Sequence, residues 1–278
     1  MPFATHVPAA PLRPFVAAAQ GYRVPANPTG LHRGLPSRHL TLVVELRAPL
    51  GVSGLGDPVA AHGVVGGLHT GPALIDASLP QEGVQYALTP WGVRALLGVP
   101  AGELRGQAFD LALLLGPEVT SLVERLRAAT SWAERFELVD ATLVHRLHRA
   151  PGTSGEVAPE VRAAWRLLVA SRGRLPVATV AGRVGWGRRH LSERFRLATG
   201  LTPKEAARVV RFETARSMLL DARRPALVDV AMRCGYADQP HLAREWRALA
   251  GCSVGTWLRE ELPFVHDTSG PEPARSPA

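Results

Sequence analysis

The chain has two cysteines, one lysine and no long apolar run in its 278 residues. Cys234 and Cys252 have no metal-ligand neighbour at C-x-x-C spacing, so neither a disulfide framework nor a zinc site is expected, and both thiols read as small buried hydrophobes. No apolar stretch approaches the roughly 18 residues that a membrane span requires. The N-terminus lacks a basic stretch followed by a hydrophobic core, so a cytoplasmic protein without a membrane partner is expected. Catalytic signatures are missing too: no G-x-S-x-G elbow, no Walker-type glycine loop and no Ser-His-Asp constellation, which argues against an enzyme. His32, His39, His62 and His69 are scattered without an H-x-H pair, and His145 and His148 lie on a helix with no carboxylate arranged beside them, so no metal or other cofactor is expected.

What is there is arginine, unevenly placed. With 46% hydrophobic residues and length enough for two domains, the composition is that of a globular protein carrying a net charge of +8. Residues 1–157 balance 12 basic against 12 acidic residues, whereas residues 158–262 hold 19 basic against 10 acidic. Since Lys204 is the only lysine, nearly all of that excess is planar guanidinium, suited to bidentate contacts with phosphates and guanine edges. A solvated face on a basic protein would give the same count, so the charge needs a second signal.

That signal is a repeat. Residues Val180-Ala181-Gly182-Arg183-Val184-Gly185-Trp186 align with Val230-Ala231-Met232-Arg233-Cys234-Gly235-Tyr236 at an offset of 50, and His190-Leu191 and Phe195-Arg196 recur as His241-Leu242 and Trp246-Arg247 at an offset of 51. Each copy reads as a short apolar helix, a glycine turn (Gly185, Gly235) and a longer arginine-faced helix, the helix-turn-helix plan for entering a DNA major groove. A bracing helix over Pro159 to Ser171 precedes the first unit, Val177 to Val184 followed by Arg188 to Ala198. On the second of these, Leu191, Phe195 and Ala198 share one face; Arg189, Ser192, Glu193 and Arg196 share the other. Thr202-Pro203-Lys204-Glu205 combines an N-cap hydroxyl, a first-turn proline and a capping-box glutamate, starting a helix that can run to about Asp221. Some twenty residues make a rod of roughly 30 Å, close to the helical turn of about 34 Å that separates successive major grooves. In the second unit Leu227 to Arg233 braces, Asp238 is a candidate N-cap, and Gln239, Pro240, Ala243, Arg244 and Arg247 face outward with His241 at the flank. Gln239 suits adenine and Arg244 guanine; phosphate contact or plain solvation is the alternative for each.

The N-terminal half is rich in Gly and Pro, with strand candidates at Leu40 to Leu46, His62 to Leu68, Ala73 to Ala77 and Val84 to Leu88. Helices are expected over Pro117 to Ala129 and from Ser131, whose capping box with Glu134 precedes an apolar stripe of Trp132, Phe136, Val139, Leu143 and Leu147. That stripe can pack on its own domain or form a dimer seam. The expected organisation is a sensor or dimerisation domain over 1–150, a linker over 151–157, a DNA-binding domain over 158–262 and a disordered tail over 263–278.

Residues 159 to 261 resemble the AraC/XylS family of bacterial transcription regulators. The resemblance rests on Gly185-Trp186-Gly187-Arg188-Arg189-His190-Leu191, Arg194-Phe195-Arg196, Gly200-Leu201-Thr202-Pro203-Lys204, Arg211-Phe212 with Ala215-Arg216, Ala231 with Cys234-Gly235-Tyr236-Ala237-Asp238-Gln239, His241-Leu242, Arg244, and Gly251 with Ser253. It implies seven helices, with two helix-turn-helix units on one long helix, and binding of double-stranded promoter DNA. Its base-reading slots fall on Arg189, Ser192 and Glu193, then on Gln239, Pro240, His241 and Arg244, while Arg188, Arg196 and Arg247 complete the expected DNA-binding set. The chain departs from the family at Pro240-His241, at Leu242 and Trp246 where phenylalanines are usual, and at Val254 where proline is usual. The first half resembles the family's cupin-like sensor domain through Leu88-Thr89-Pro90-Trp91-Gly92 and Leu96-Leu97-Gly98-Val99-Pro100.

The resulting expectation is an α+β protein: a β-rich, cupin-like domain ending in a helical pair, then an all-α domain of two helix-turn-helix units joined by a long helix. The resemblance implies a small-molecule effector and a homodimer, with RNA polymerase as a partner if the protein activates. Tyr22, Tyr86 and Trp91 are candidate lining residues of an effector pocket, with core packing as the alternative for each. A non-specific architectural DNA binder, and a cupin-like metabolite-binding protein or enzyme, are the competing functions.

Overall fold

A computed structural model describes residues 3–149, 157–221 and 225–260. The expected linker lies almost wholly, and the expected tail wholly, outside the described residues. The first half contains β1 (Phe3–His6), β2 (Val16–Val24), β3 (Leu31–Gly34), β4 (Leu40–Glu45), β5 (Leu50–Ser53), β6 (Val59–Ala61), β7 (Gly63–Gly66), β8 (Ala73–Asp76), β9 (Gln81–Leu88) and β10 (Ala108–Asp110). These form a six-stranded sheet in the order β1-β2-β9-β4-β7-β10 and a four-stranded sheet β3-β8-β5-β6, with antiparallel pairing. The helices of this half are α1 (Pro90–Leu97), the single turn α2 (Ala112–Leu115), α3 (Glu118–Ala128) and α4 (Trp132–Arg149).

Period-two alternation explains the layering, because successive side chains on a strand point to opposite faces. On β4, Leu40, Leu42 and Val44 join the core shared with the helices, while Val43 joins Leu50 and Val52 of the small sheet. On β9, Val84, Tyr86 and Leu88 take the helical side. The large sheet is thus sandwiched, with helices behind it and the small sheet in front.

The stripe on α4 packs within its own half: Phe136, Val139 and Leu143 are buried, and Trp132 and Leu147 lie half-buried against the same core. Asp140, a buried carboxylate on this helix, accepts from Tyr86 Oη at 2.9 Å and from the Ala9 amide at 2.7 Å, and lies 2.9 Å from His6 Nε2. The expected capping box is altered. The Glu134 amide donates to Ser131 Oγ at 3.2 Å, but the Glu134 carboxylate accepts from the Thr130 amide at 2.9 Å, one residue earlier than the sequence pattern implied.

Among the described residues the second half holds seven helices: α5 (Pro159–Ala170), α6 (Val177–Arg183), α7 (Arg188–Thr199), α8 (Pro203–Leu220), α9 (Leu227–Cys234), α10 (Gln239–Ala250) and α11 (Val254–Glu260). The box that starts α8 is as expected, with the Glu205 amide on Thr202 Oγ1 at 3.2 Å and the Thr202 amide on Glu205 Oε2 at 2.7 Å.

The two halves do not sit apart. One hydrophobic cluster runs from the large sheet through α1, α5, α6 and α7 to Val209 on α8. Trp165 stacks on Phe195 at 5.6 Å and meets the edge of Trp91 at 6.3 Å. Gly102 approaches α7 so closely that a Cβ there would fall 2.3 Å from the Leu197 carbonyl oxygen. The second helix-turn-helix unit has a separate core of Phe212, Tyr236, Leu242, Trp246 and Trp257, with Leu35 from the β half packed against it.

Because Phe195 is fully buried where the halves meet, Phe195→Ala should lower unfolding stability by about 3–5 kcal/mol. Urea unfolding followed by far-UV circular dichroism and by tryptophan fluorescence should shift together. A shift confined to one probe would mean that the halves unfold independently.

Candidate nucleic-acid interface

In the first unit the turn between α6 and α7 is closed by Gly185 at φ 74°, a conformation costly for a residue with a Cβ. Leu191 and Phe195 bury one side of α7. Arg188, Arg189, Glu193 and Arg196 are exposed and Ser192 is half-buried, so the set predicted on α7 shares the outer side. Trp186 of the turn packs on His190 at 4.5 Å between rings.

The second unit repeats this device. Gly235 takes φ 77°, and Tyr236 meets His241 at 5.4 Å. Asp238 caps α10 by accepting from the His241 amide at 2.6 Å, as the sequence suggested. His241 Nδ1 accepts from the Ala237 amide at 3.1 Å, so this ring is partly committed to the turn and presents only Nε2 elsewhere. Leu242, Trp246 and Leu249 are buried; Gln239, Pro240, Arg244 and Arg247 are exposed, and His241 is half-buried. The substitution of Leu242 and Trp246 for the usual phenylalanines keeps the inner side apolar. Both cysteines are buried.

Sequence reasoning missed the arginines that hold these units together. Arg208 on α8 grips Glu245 of α10 with Nε to Oε2 at 2.7 Å and Nη2 to Oε1 at 3.1 Å. Burial raises the Glu245 carboxyl, but the Arg208 hydrogen bonds and charge outweigh it and hold the carboxyl below its ordinary value. Arg211, one turn along α8, donates to the Gly235 carbonyl at 3.4 Å and covers the Tyr236 ring at 5.3 Å. Net charge alone could not separate these inward arginines from the outward ones.

A second feature lies between the sheets. A cavity of about 200 Å³ is floored by Gln20, Tyr22, Thr41, Val43, Gln85 and Ala87 of the large sheet and walled by residues of the small sheet. Cross-strand register places Gln20 opposite Gln85. The DNA-binding half closes it with Arg216 of α8 and Trp257 of α11. Arg216 Nε and Trp257 Nε1 are buried and have no hydrogen-bond partner among the described residues. Of the aromatic candidates, Tyr22 lines this cavity. Tyr86 points to the opposite side of the sheet, where Asp140 holds it, and Trp91 packs on Trp165 and donates to the Pro14 carbonyl at 3.1 Å. Tyr86 is a core residue, because alternation along β9 sends it to the helical face, and Trp91 on α1 lies half-buried against the same core. Beside the cavity, Glu213 accepts from Ser37 Oγ at 2.9 Å and the Arg38 amide at 3.1 Å, tying α8 to the loop before β4. His39 also lines the cavity, and desolvation with the nearby Arg38 charge lowers its pKa to about 3.

Paired helix-turn-helix units on one rod, each with an exposed arginine-bearing helix, define a DNA-binding transcription regulator. Residues 180–260 match the helix-turn-helix domain family, and this C-terminal domain is of the AraC type. The chain shares the fold of ToxT from Vibrio cholerae O395, at 11% identity and a TM-score of 0.53, covering 95% of this chain and 99% of that one. It is equally similar to wild-type ToxT of strain SCE256 with an unsaturated fatty acid bound, at 10% identity, TM-score 0.54 and coverage of 94% and 100%. ToxT bound to (E)-4-(8-methylnaphthalen-1-yl)but-3-enoic acid matches at 10% identity and TM-score 0.51, covering 94% and 99%. At these identities the likeness is one of fold. No curated protein sequence matches the chain. Among the described residues no helix is long and apolar enough to cross a membrane.

The depressed His39 pKa has a consequence for folding. An unfolded chain protonates this histidine near 6.5 and the folded one only near 3, so the unfolded state binds more protons between those values. Stability from this group is complete above about pH 6.5 and is lost as pH falls toward 3. His39→Gln should flatten this part of the melting-temperature profile; an unchanged profile would show that other groups set it.

Proposed function

We propose that both helix-turn-helix units of this regulator read promoter DNA together, α7 and α10 entering successive major grooves on one side of the duplex. The observation that carries this is the rod between them: α8 has 18 residues, about 27 Å at 1.5 Å per residue, and packs into the core of both units. A rigid connector of that length favours two blocks one helical turn apart over architectural binding. Arg189, Ser192 and Glu193 serve as base readers in the first unit, and Gln239, Pro240, His241 and Arg244 in the second, with Arg188, Arg196 and Arg247 on phosphates. Such a protein acts in the cytoplasm, works as a homodimer, and touches RNA polymerase where it activates.

The reading extends to a small-molecule effector in the cavity between the sheets. Both named ToxT ligands are acids, and the buried Arg216 Nε and Trp257 Nε1 are donors without partners that suit a carboxylate. At about 200 Å³ the space favours a compact acid. Its occupancy would bear on α8 and α11 directly, so one ligand would act on the DNA-binding half without a relay.

Selection from a random duplex library with the full-length protein should return two short blocks one helical turn apart. Arg189→Ala and Arg244→Ala should each cost about 1–3 kcal/mol on the selected duplex and relax preference at a few positions in one block only. With six to ten phosphate contacts, affinity should fall by about 10³ to 10⁵ between 50 and 200 mM salt. Equal losses on all sequences would assign both arginines to phosphates, and recovery of no motif despite tight binding would favour the architectural reading.

For the effector, a thermal-shift screen of carboxylic acids graded by size should find compact acids that raise the melting temperature of the wild type but not of Arg216→Gln. Absence of any shift, or an unchanged shift in the variant, would remove the acid from this cavity.

A further inference from the structure

We infer that the Arg208–Glu245 pair is a positioning latch that fixes how far apart the two recognition helices stand, and so sets the operator spacing this protein accepts. The inference rests on the proposal that both units bind at once. Arg208 and Glu245 are assigned no DNA contact by that proposal, and neither belongs to the outward sets on α7 and α10.

The geometry is specific. Glu245 sits on the recognition helix α10 between the exposed Arg244 and the buried Trp246, turned toward α8. Arg208 meets it with both forks of the guanidinium on both carboxylate oxygens, which fixes orientation as well as distance in a way that a single contact does not. The pair is only about a quarter exposed, 28% for Arg208 and 22% for Glu245, so solvent screens it less than an ordinary surface pair. Phe212, Ala215 and Leu219 of α8 give the second unit its apolar contact, with Phe212 meeting Trp246 of α10 at 4.8 Å between rings, and the fork adds a directional contact beside it.

Two neighbouring arginines close the same joint. Arg211 holds the turn that precedes α10, through the Gly235 carbonyl and the Tyr236 ring. Arg174, from the α5–α6 connection of the first unit, passes over Gly235 so closely that a Cβ there would lie 3.3 Å from its Cγ. The first unit, the rod and the turn of the second therefore meet at one place, and the Arg208–Glu245 fork is the contact that carries the constraint on to the reading helix itself.

The distinguishing quantity is tolerance of spacing, which loss of affinity alone does not report. Starting from the selected two-block duplex, variants with one base pair inserted or deleted between the blocks, and a duplex with one block scrambled, would be titrated with wild type, Glu245→Gln and Arg208→Lys. The wild type should prefer the native spacing strongly. In both variants affinity for native spacing should fall about tenfold, the worth of one charge-assisted contact, while the penalty for the shifted duplexes shrinks and single-block affinity stays unchanged. Glu245→Gln removes a negative charge, so a purely electrostatic effect would tighten binding to every duplex instead. The exchanged pair Arg208→Glu with Glu245→Arg restores the charge balance and should recover part of the spacing preference.

Circular dichroism and single-block affinity report whether each variant is folded. A folded variant that keeps the wild-type spacing penalty, or one that loses affinity equally for all duplexes, would overturn the latch and leave two-unit binding standing. A wild type indifferent to spacing would overturn two-unit binding and the latch with it.

Discussion

Helix α8 belongs to two cores at once, and the rest of the arrangement depends on that. Ala206, Ala207 and Val209 lie in the cluster that extends back to the large sheet, while Phe212, Ala215 and Leu219 lie in the core of the second unit. The handover takes place within one helical turn. A helix buried from two sides has little intrinsic reason to be amphipathic in the ordinary sense, and several of its polar side chains make directional contacts. Thr202 and Glu205 close its start, Arg208 and Arg211 hold the second unit, and Glu213 holds the loop before β4. A rod that is packed from both ends transmits position, whereas a solvated linker of equal length would transmit only proximity.

The same packing accounts for why the first unit and the β-rich half form one body. Trp91, Trp165 and Phe195 make a continuous aromatic contact from α1 through α5 to α7. Arg105 pairs with Glu205 at 2.7 Å and Arg33 with Glu260 at 2.9 Å, but these ion pairs are partly exposed and add little stability beside the buried apolar contact. The hydrophobic contact supplies adhesion and the polar contacts supply register. The cavity sits where this division matters most, since its floor is sheet and its far wall is Arg216 and Trp257 from the DNA-binding half.

Much of the second half was legible because helix signals are local. Capping residues, glycine turns and 3.6-residue periodicity located α5 to α9 within about two residues at each end, and the start of α10 at its cap Asp238. The first half was harder. Strand β2, Val-Ala-Ala-Ala-Gln-Gly-Tyr-Arg-Val, is rich in alanine and broken by glycine, so it lacks the β-branched run by which a strand announces itself. Its order comes from pairing along most of its length with β9, a contact between residues some sixty positions apart. The four-residue strand β5 and the three-residue strand β6 are defined by their partners in the same way. Tyr86 and Tyr22 looked alike as pocket candidates until alternation and register assigned them to opposite faces of one sheet.

Arginine count shows where local reading stops. The excess of basic residues after position 158 falls in the half that holds the two helix-turn-helix units, yet Arg208, Arg211 and Arg216 spend their guanidinium groups inside the protein, on Glu245, on Tyr236 with Gly235, and at the cavity. Arg188, Arg189, Arg194, Arg196, Arg244 and Arg247 are the arginines exposed on the two recognition helices. Formal charge therefore overstates the number of phosphates the protein can neutralise, and the salt slope should follow the outward group. Arginine suits both tasks for one reason: its planar fork stays charged and rigid whether it meets a phosphate or a carboxylate. A chain that uses almost no lysine can hold its reading heads in place and present them to DNA with the same side chain, and the packing of α8 decides which arginine does which.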